Sequence, residues 1–191
     1  MSSQLFEKSC EIPVSARTLF DWHARPGAFD RLSPPWENVE LLEHTGIRDG
    51  ETARIRMKIG PFSKLWIAKH QNYTEGVSFQ DVQTQGPFAE WEHTHTISSV
   101  DQQNARLSDS IRYRLPGGWL GRAVAGRMIR RSLERMFSYR HRRTRDDLIF
   151  REAHQGVKTM KIAITGGTGM IGQELKSLLT TGGHEVRTLT R

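Results

Sequence analysis

Between Asn38 and Leu115 the apolar residues keep a period of two, and between Leu120 and Phe150 they keep a period of three to four. That change fixes most of what the chain can fold into: several strands in succession, then one long helix. The clearest strands are ARIRMKI, where Ala53, Ile55, Met57 and Ile59 alternate with basic residues, and ARLSDSIRYRL, where Ala105, Leu107, Ile111, Tyr113 and Leu115 share a face. NVELLEH, KLWIAKHQN, VSFQDVQ and EWEHTHTISSV complete a run of six, punctuated by turns such as Gly60-Pro61, Glu75-Gly76 and Gly86-Pro87. Such alternation describes antiparallel strands with one covered and one wet face. In the helical segment Ala125, Ile129, Leu133 and Met136 form one stripe, with Arg127, Arg131 and Arg135 opposite it.

Ahead of this run, residues 4–12 read as a strand with Phe6, Cys10 and Ile12 on one face, and Ser15 is placed to cap a short helix over Ala16–His23. The following stretch, ARPGAFDRLSPPWENV, is turn-rich, and its adjacent prolines exclude a long helix. The order is α+β. A curved antiparallel sheet around the C-terminal helix is the simplest way to bury both apolar faces. This domain is expected over 1–150, with a polar, patternless linker over 151–159.

Residues 160–191 begin a separate unit. Ile162, Ala163 and Ile164 form a short strand, and Thr165-Gly166-Gly167-Thr168-Gly169-Met170-Ile171-Gly172 follows as a T-G-x-x-G-x-x-G turn opening a helix. That context marks a dinucleotide phosphate loop and a truncated Rossmann β-α-β unit. Gly166 allows the sharp turn, Gly169 lets the backbone approach a pyrophosphate, and Gly172 lets helix and strand pack closely. The N–H groups of Met170 and Ile171 are placed to donate to phosphate oxygens. Ile171, Leu175, Leu178 and Leu179 are the expected buried stripe of the helix. The second strand ends in threonine and Arg191, not in the acidic residue that binds the ribose hydroxyls of NAD. NADP is therefore the expected cofactor, with Arg191 on its 2′-phosphate.

The net charge of +7 is concentrated: the segment 119–150 alone carries +6, from nine arginines against Glu134, Asp146 and Asp147. A solvated helix face is the first reading of that row. Docking of the row on a missing reductase domain is the second, and an anionic surface the third. Charge aside, the chain has no nucleic-acid motif. No apolar run approaches the ~20 residues of a transmembrane helix, and no signal peptide precedes the first strand. A single cysteine, Cys10, excludes an internal disulfide and fits a reducing cytoplasm.

The chemistry-bearing residues of the first domain gather on few strands. Trp91, His93, His95 and Ile97 share one face, Asp81 and Asp109 sit in neighbouring strand candidates, and Tyr113 follows Asp109 on its face. Asp81, Trp91, His93, His95, Asp109 and Tyr113 are thus the candidates for contact with a ligand in a cavity, as a polar cluster that orients it or moves a proton. The bland alternative is a set of hydrogen-bonded strand residues. A His-x-His pair with carboxylates also has metal-binding chemistry, but no third ligand is fixed by spacing and no metal is expected.

IPVSARTLFDWHARPGAFDRLSPPW, FQDVQTQGPFAEWEHTH and SDSIRYRLPGG resemble the START-like, or SRPBCC, superfamily of polyketide cyclase-type ligand-binding domains. The resemblance implies a helix-grip fold around a cavity for a lipid or other hydrophobic molecule. The tail, MKIAITGGTGMIG, resembles epimerase-like extended short-chain dehydrogenases/reductases, some of which carry a START-like domain in front. That group uses a Tyr-x-x-x-Lys pair. No tyrosine follows Tyr139, and Tyr139 is followed at the fourth position by Arg143, so no catalytic residue is assigned. The expected function is hydrophobic ligand binding as the N-terminal part of an NADP-dependent oxidoreductase. A stand-alone carrier and a basic surface-binding adaptor are the alternatives.

Overall fold

Seven antiparallel strands form one sheet in the order β1-β7-β6-β5-β4-β3-β2. They are β1 (Gln4–Ile12), β2 (Val39–His44), β3 (Thr52–Ile59), β4 (Phe62–Thr74), β5 (Ser78–Gln85), β6 (Glu90–Ser99) and β7 (Ala105–Arg114). The computed structural model describes residues 3–59, 61–116, 118–154 and 156–189. The meander β2–β7 follows the chain, and β1 returns to pair with β7 from Gln4↔Tyr113 to Ile12↔Ala105. Register shifts interrupt β2 at Leu41/Glu43 and β4 at Ile67/Ala68 and Gln71/Thr74. Such irregularities bend a strand and raise its twist, which lets the sheet curl.

The helix α3 runs from Gly118 to Ala153, a few residues beyond the expected bounds at each end. Its inward side carries Leu133, Phe137, His141, Thr144 and Leu148, all buried, at steps of four and three. Ile129 and Met136 are partly buried beside Leu133, while Arg127, Arg131 and Arg135 are exposed. The Ile59, Trp119 and Ala125 side chains lie outside the described residues.

Two apolar clusters pack between sheet and helices. One contains Ile12, Leu19, Phe20, Trp22, Phe79, Leu107 and Leu148, and the other Phe6, Trp91, Ile111, Tyr113, Leu133 and Phe137. Along β7 the inward residues read Ala105, Leu107, Asp109, Ile111, Tyr113, so the strand passes from one cluster to the other through a carboxylate. Cys10 is partly buried against the first cluster, and burial pushes its thiol up to about 11.

The short helix α1 (Ala16–Ala24) starts where Ser15, in an extended conformation, accepts a hydrogen bond from Thr18 N at 3.2 Å. Ser15→Ala removes that partner and is expected to cost about 1 kcal/mol in a urea unfolding series. An unchanged midpoint would show that water caps the helix equally well. The turn-rich stretch beyond it holds one further helix, α2 (Ala28–Leu32), which the two prolines end but do not prevent. Arg31 of α2 is buried and grips Asp147 of α3 with two N–H groups, while Nη1 reaches Glu174 Oε2 at 2.7 Å.

Glu174 belongs to the C-terminal unit: β8 (Lys161–Thr165), α4 (Met170–Thr181) and β9 (Glu185–Leu189), with β8 and β9 paired in parallel. At Gly172 a Cβ would lie 2.3 Å from Gly166 O, so no other residue fits there. Gly166 itself turns the chain at φ +69°. The expected stripe of α4 is corrected: Ile171 is 78% and Leu175 42% exposed, with Leu178 and Leu179 half-buried. Two strands make too narrow a sheet to cover that stripe. The polar side, Ser177 and Thr181, is buried instead, and Arg25 Nη1 donates to Thr181 O at 2.9 Å. The expected linker also starts late, since α3 continues through Ala153.

Candidate functional site

Strand order explains how the polar residues meet. The histidine strand β6 lies between β5 and β7, with Asp81 directly opposite His93 on one side and Asp109 directly opposite His95 on the other. Directly opposed residues have Cβ atoms about 5 Å apart, and diagonal ones remain within reach of a histidine ring. His93 uses both: Nδ1 lies 3.1 Å from Asp81 Oδ1 and Nε2 lies 2.8 Å from Asp109 Oδ1. His95 Nδ1 stands 2.8 Å from the same Asp109 oxygen, off the line of a well-formed hydrogen bond. From above, His141 of α3 puts Nε2 2.6 Å from Asp109 Oδ2.

Asp109 therefore serves three imidazoles with two oxygens. Burial works against its charge, yet the three histidines hold its carboxyl well below the usual range. Burial alone would push His93 down, but the carboxylates of Asp81 and Asp109 reverse this and raise it to about 9. With a carboxylate on each nitrogen, His93 is an imidazolium at neutral pH. His95 goes the other way: burial first, then the His93 charge, hold it down to about 4. Neighbouring rings 4.0 Å apart are thus split into one cation and one neutral base. His23 of α1 is also pushed down by burial, and its Nδ1–H donates to Leu19 O at 2.9 Å.

This polar cluster forms one side of a cavity of about 290 Å³. Asp81, Trp91, His93 and His95 line it. Asp109 and Tyr113 share the inward face but do not line it: α3 covers them, with His141 on Asp109 and Phe137 packed in the same cluster as Tyr113. The apolar lining comes from Val39, Ile47, Ile55, Met57, Trp66, Phe88, Ile129, Leu133 and Met136. The sequence reading missed five lining residues that carry charge or can: His23, Glu37, His44, His70 and Arg140. His70 follows Trp66 and Ala68 at the strand period, and Arg140 follows Met136 by four, so both carried a signal. His23 and His44 reach the cavity only through the tertiary fold.

A metal would find its third ligand here, because ligand atoms of Asp81, His93 and His95 lie within 4.8 Å of one another. Both nitrogens of His93 already face carboxylates, so an ion would have to displace a proton from a charge-matched pair. In the C-terminal unit, the loop from Thr165 through Gly166, Thr168 and Gly169 to Met170, Ile171 and Gly172 brings the start of α4 back over β8. Gly169 precedes the helix without a side-chain cap, which leaves the first N–H groups to other acceptors. Arg191 lies outside the described residues.

A curved sheet closed by one long helix over a largely apolar cavity with charged groups in its wall defines a helix-grip ligand-binding domain. Residues 12–137 match the family described as polyketide cyclase / dehydrase and lipid transport, and the chain belongs to that family. Among solved structures, the nucleoside-diphosphate sugar epimerase from Corynebacterium glutamicum is similar over 96% of this chain, at 29% identity and a TM-score of 0.77. The chain spans 38% of the length of that protein. The Zhui aromatase/cyclase from a Streptomyces species matches over 81% of this chain and 99% of its own, at 15% identity and a TM-score of 0.63. Norcoclaurine synthase from Thalictrum flavum matches over 78% and 96%, at 12% identity and a TM-score of 0.59. The last two show the fold alone. Curated proteins give no match. No helix among the described residues is long and apolar enough to cross a membrane.

Proposed function

We propose that residues 1–150 bind an apolar small molecule or lipid in the cavity between sheet and α3, as the N-terminal part of an NADP-dependent, epimerase-like oxidoreductase. The observation that carries the first half is the cavity itself: most of its wall is apolar or aromatic, with a smaller set of polar groups set among them. That combination buries a hydrophobic body and orients it by a few polar contacts. The test is native mass spectrometry of the purified chain together with titration of the uncharged fluorophore N-phenyl-1-naphthylamine. A co-purifying mass or a saturable fluorescence rise is expected, and a protein free of adducts that also ignores the fluorophore overturns the reading.

The second half draws support from the β-α-β unit and from similarity to the Corynebacterium epimerase that runs through both units of this chain. The close approach at Gly172 and the uncapped start of α4 fit a pyrophosphate held by the N–H groups of Met170 and Ile171. Arg191 is the proposed partner of the 2′-phosphate. The cofactor would supply hydride transfer. The residues present here would only hold it, since the proton-transfer pair of that enzyme group has no counterpart in 1–191. Reading the coding DNA past codon 191 tests this half. An in-frame continuation containing Tyr-x-x-x-Lys is expected, and an immediate stop codon sinks it in favour of a stand-alone carrier.

A further inference from the structure

Two inward-facing arginines in this molecule end differently. Arg31 engages all three of its guanidinium nitrogens with protein carboxylates, two N–H groups on Asp147 and one on Glu174. Arg140, two turns past Leu133 on the cavity side of α3, spends only Nε, which donates to Leu32 O at 3.1 Å. A guanidinium has five N–H donors and does not lose its proton in proteins. The four on the Nη atoms of Arg140 have no protein partner among the described residues, and no carboxylate comes within ion-pair distance. Its Cζ lies 5.0 Å from the Phe137 ring centre, and burial works against its charge. The exposed arginines of the same helix, Arg127, Arg131 and Arg135, have water to satisfy them. Arg140 is only partly exposed and lines the cavity.

The nearby anions are committed elsewhere. Both oxygens of Asp109 are taken by His93, His95 and His141, and Asp81 faces His93. Glu37 lines the cavity too and contributes least of the three carboxylates to the field at Arg140. No other arginine and no lysine lines the cavity among the described residues. The His93 imidazolium has neither nitrogen free. A cationic group with four open donors, set in an apolar lining, is what the charged end of an amphiphile requires.

We propose that the ligand of this cavity is an apolar acid: a hydrocarbon or aromatic body carrying one carboxylate, whose oxygens take the free Nη donors of Arg140 while the body lies against Trp66, Phe88 and Met136. The inference rests on the cavity being a ligand site and adds the chemical class. It also separates this cavity from one built for a neutral sterol or hydrocarbon, which offers the Arg140 Nη donors no acceptor.

Displacement of N-phenyl-1-naphthylamine by decanoic acid and by decanol at pH 7.5 tests it. The two compounds share a chain and differ in the charge of the head. Decanoate is expected to displace the fluorophore at a concentration at least tenfold below that of decanol. Arg140→Met should abolish that preference by weakening decanoate at least tenfold and leaving decanol within threefold. Arg140→Lys, which keeps the charge without the fork, should retain part of the preference and guards against a methionine variant that fails to fold. Equal displacement by acid and alcohol, or a preference that survives in Arg140→Met, overturns the proposal while leaving the cavity a ligand site. A protein that neither binds the fluorophore nor carries a co-purifying adduct overturns the parent reading and this one together.

Discussion

Asp109→Ala is expected to destabilise the protein by about 3–5 kcal/mol, the loss seen when one partner of a buried charge pair is removed. Asp109 is 3% exposed and is the shared acceptor of His93, His95 and His141. Its removal strands three imidazoles at once and leaves the His93 cation with Asp81 alone. The same substitution opens a gap in β7 between two apolar clusters, where relaxation is limited on both sides. Asp109→Asn separates charge from volume. The amide fills the same space but offers one acceptor oxygen to the imidazoles and turns an NH2 toward them. It should lower stability less than alanine and bring His93 down from about 9 toward the ordinary histidine value. Urea unfolding followed by circular dichroism reads the first effect, and nuclear magnetic resonance titration of the histidine rings the second. An alanine variant within 1 kcal/mol of the parent would mean that water takes the place of the carboxylate and that the cluster is not a structural unit.

Much of this arrangement was written in local pattern. The period-two run located every strand of the meander, and the switch of period located α3, because both signals are set by backbone geometry and survive any tertiary context. On β7 the inward alternation is broken by one polar residue, Asp109, and on β6 by His93 and His95. Those breaks mark the cluster. What could not be read was the sheet order that puts β6 between two carboxylate-bearing strands, or the descent of His141 onto Asp109. Arg140 was readable but overlooked within a count of nine arginines. It lies five residues beyond Arg135, which turns it about 140° away from the outward row. The stripe of α4 failed for another reason: amphipathicity states which face wants cover, and a two-stranded sheet does not provide it. Ile171 and Leu175 stay exposed while Ser177 and Thr181 are buried against the first domain.

The histidine cluster also dictates how stability depends on pH, with opposite signs on the two sides of neutrality. His93 is raised to about 9 in the fold and returns to about 6.5 when unfolded. The native state then holds a proton that the unfolded chain releases, so its contribution is complete below about 6.5 and is lost as pH rises through about 9. The difference amounts to roughly 3 kcal/mol. His95 acts in the reverse sense: held down to about 4, it stays neutral in the fold while the unfolded chain takes up a proton below about 6.5. Stability therefore falls again from pH 6.5 toward 4, and His23 and His44, both pushed down first by burial, add to that fall. Asp109 and Asp81 are held down by the histidines, so their contribution is present above the unfolded carboxylate value and disappears only at more acidic pH. The Cys10 thiol, raised by burial from 9.0 to about 11, adds a further fall that starts near pH 9, where the unfolded chain begins to lose that proton. The unfolding free energy should consequently peak near pH 6.5 and fall on both sides, measured as urea midpoints between pH 4.5 and 9.5. His93→Gln should level the profile between about pH 6.5 and 8.5 and leave the acid limb in place, because over that interval His93 is the histidine that holds an extra proton in the fold. A profile that is level from pH 6.5 to 9 in the parent protein would show that His93 is not the imidazolium on which the charge balance of the cavity depends.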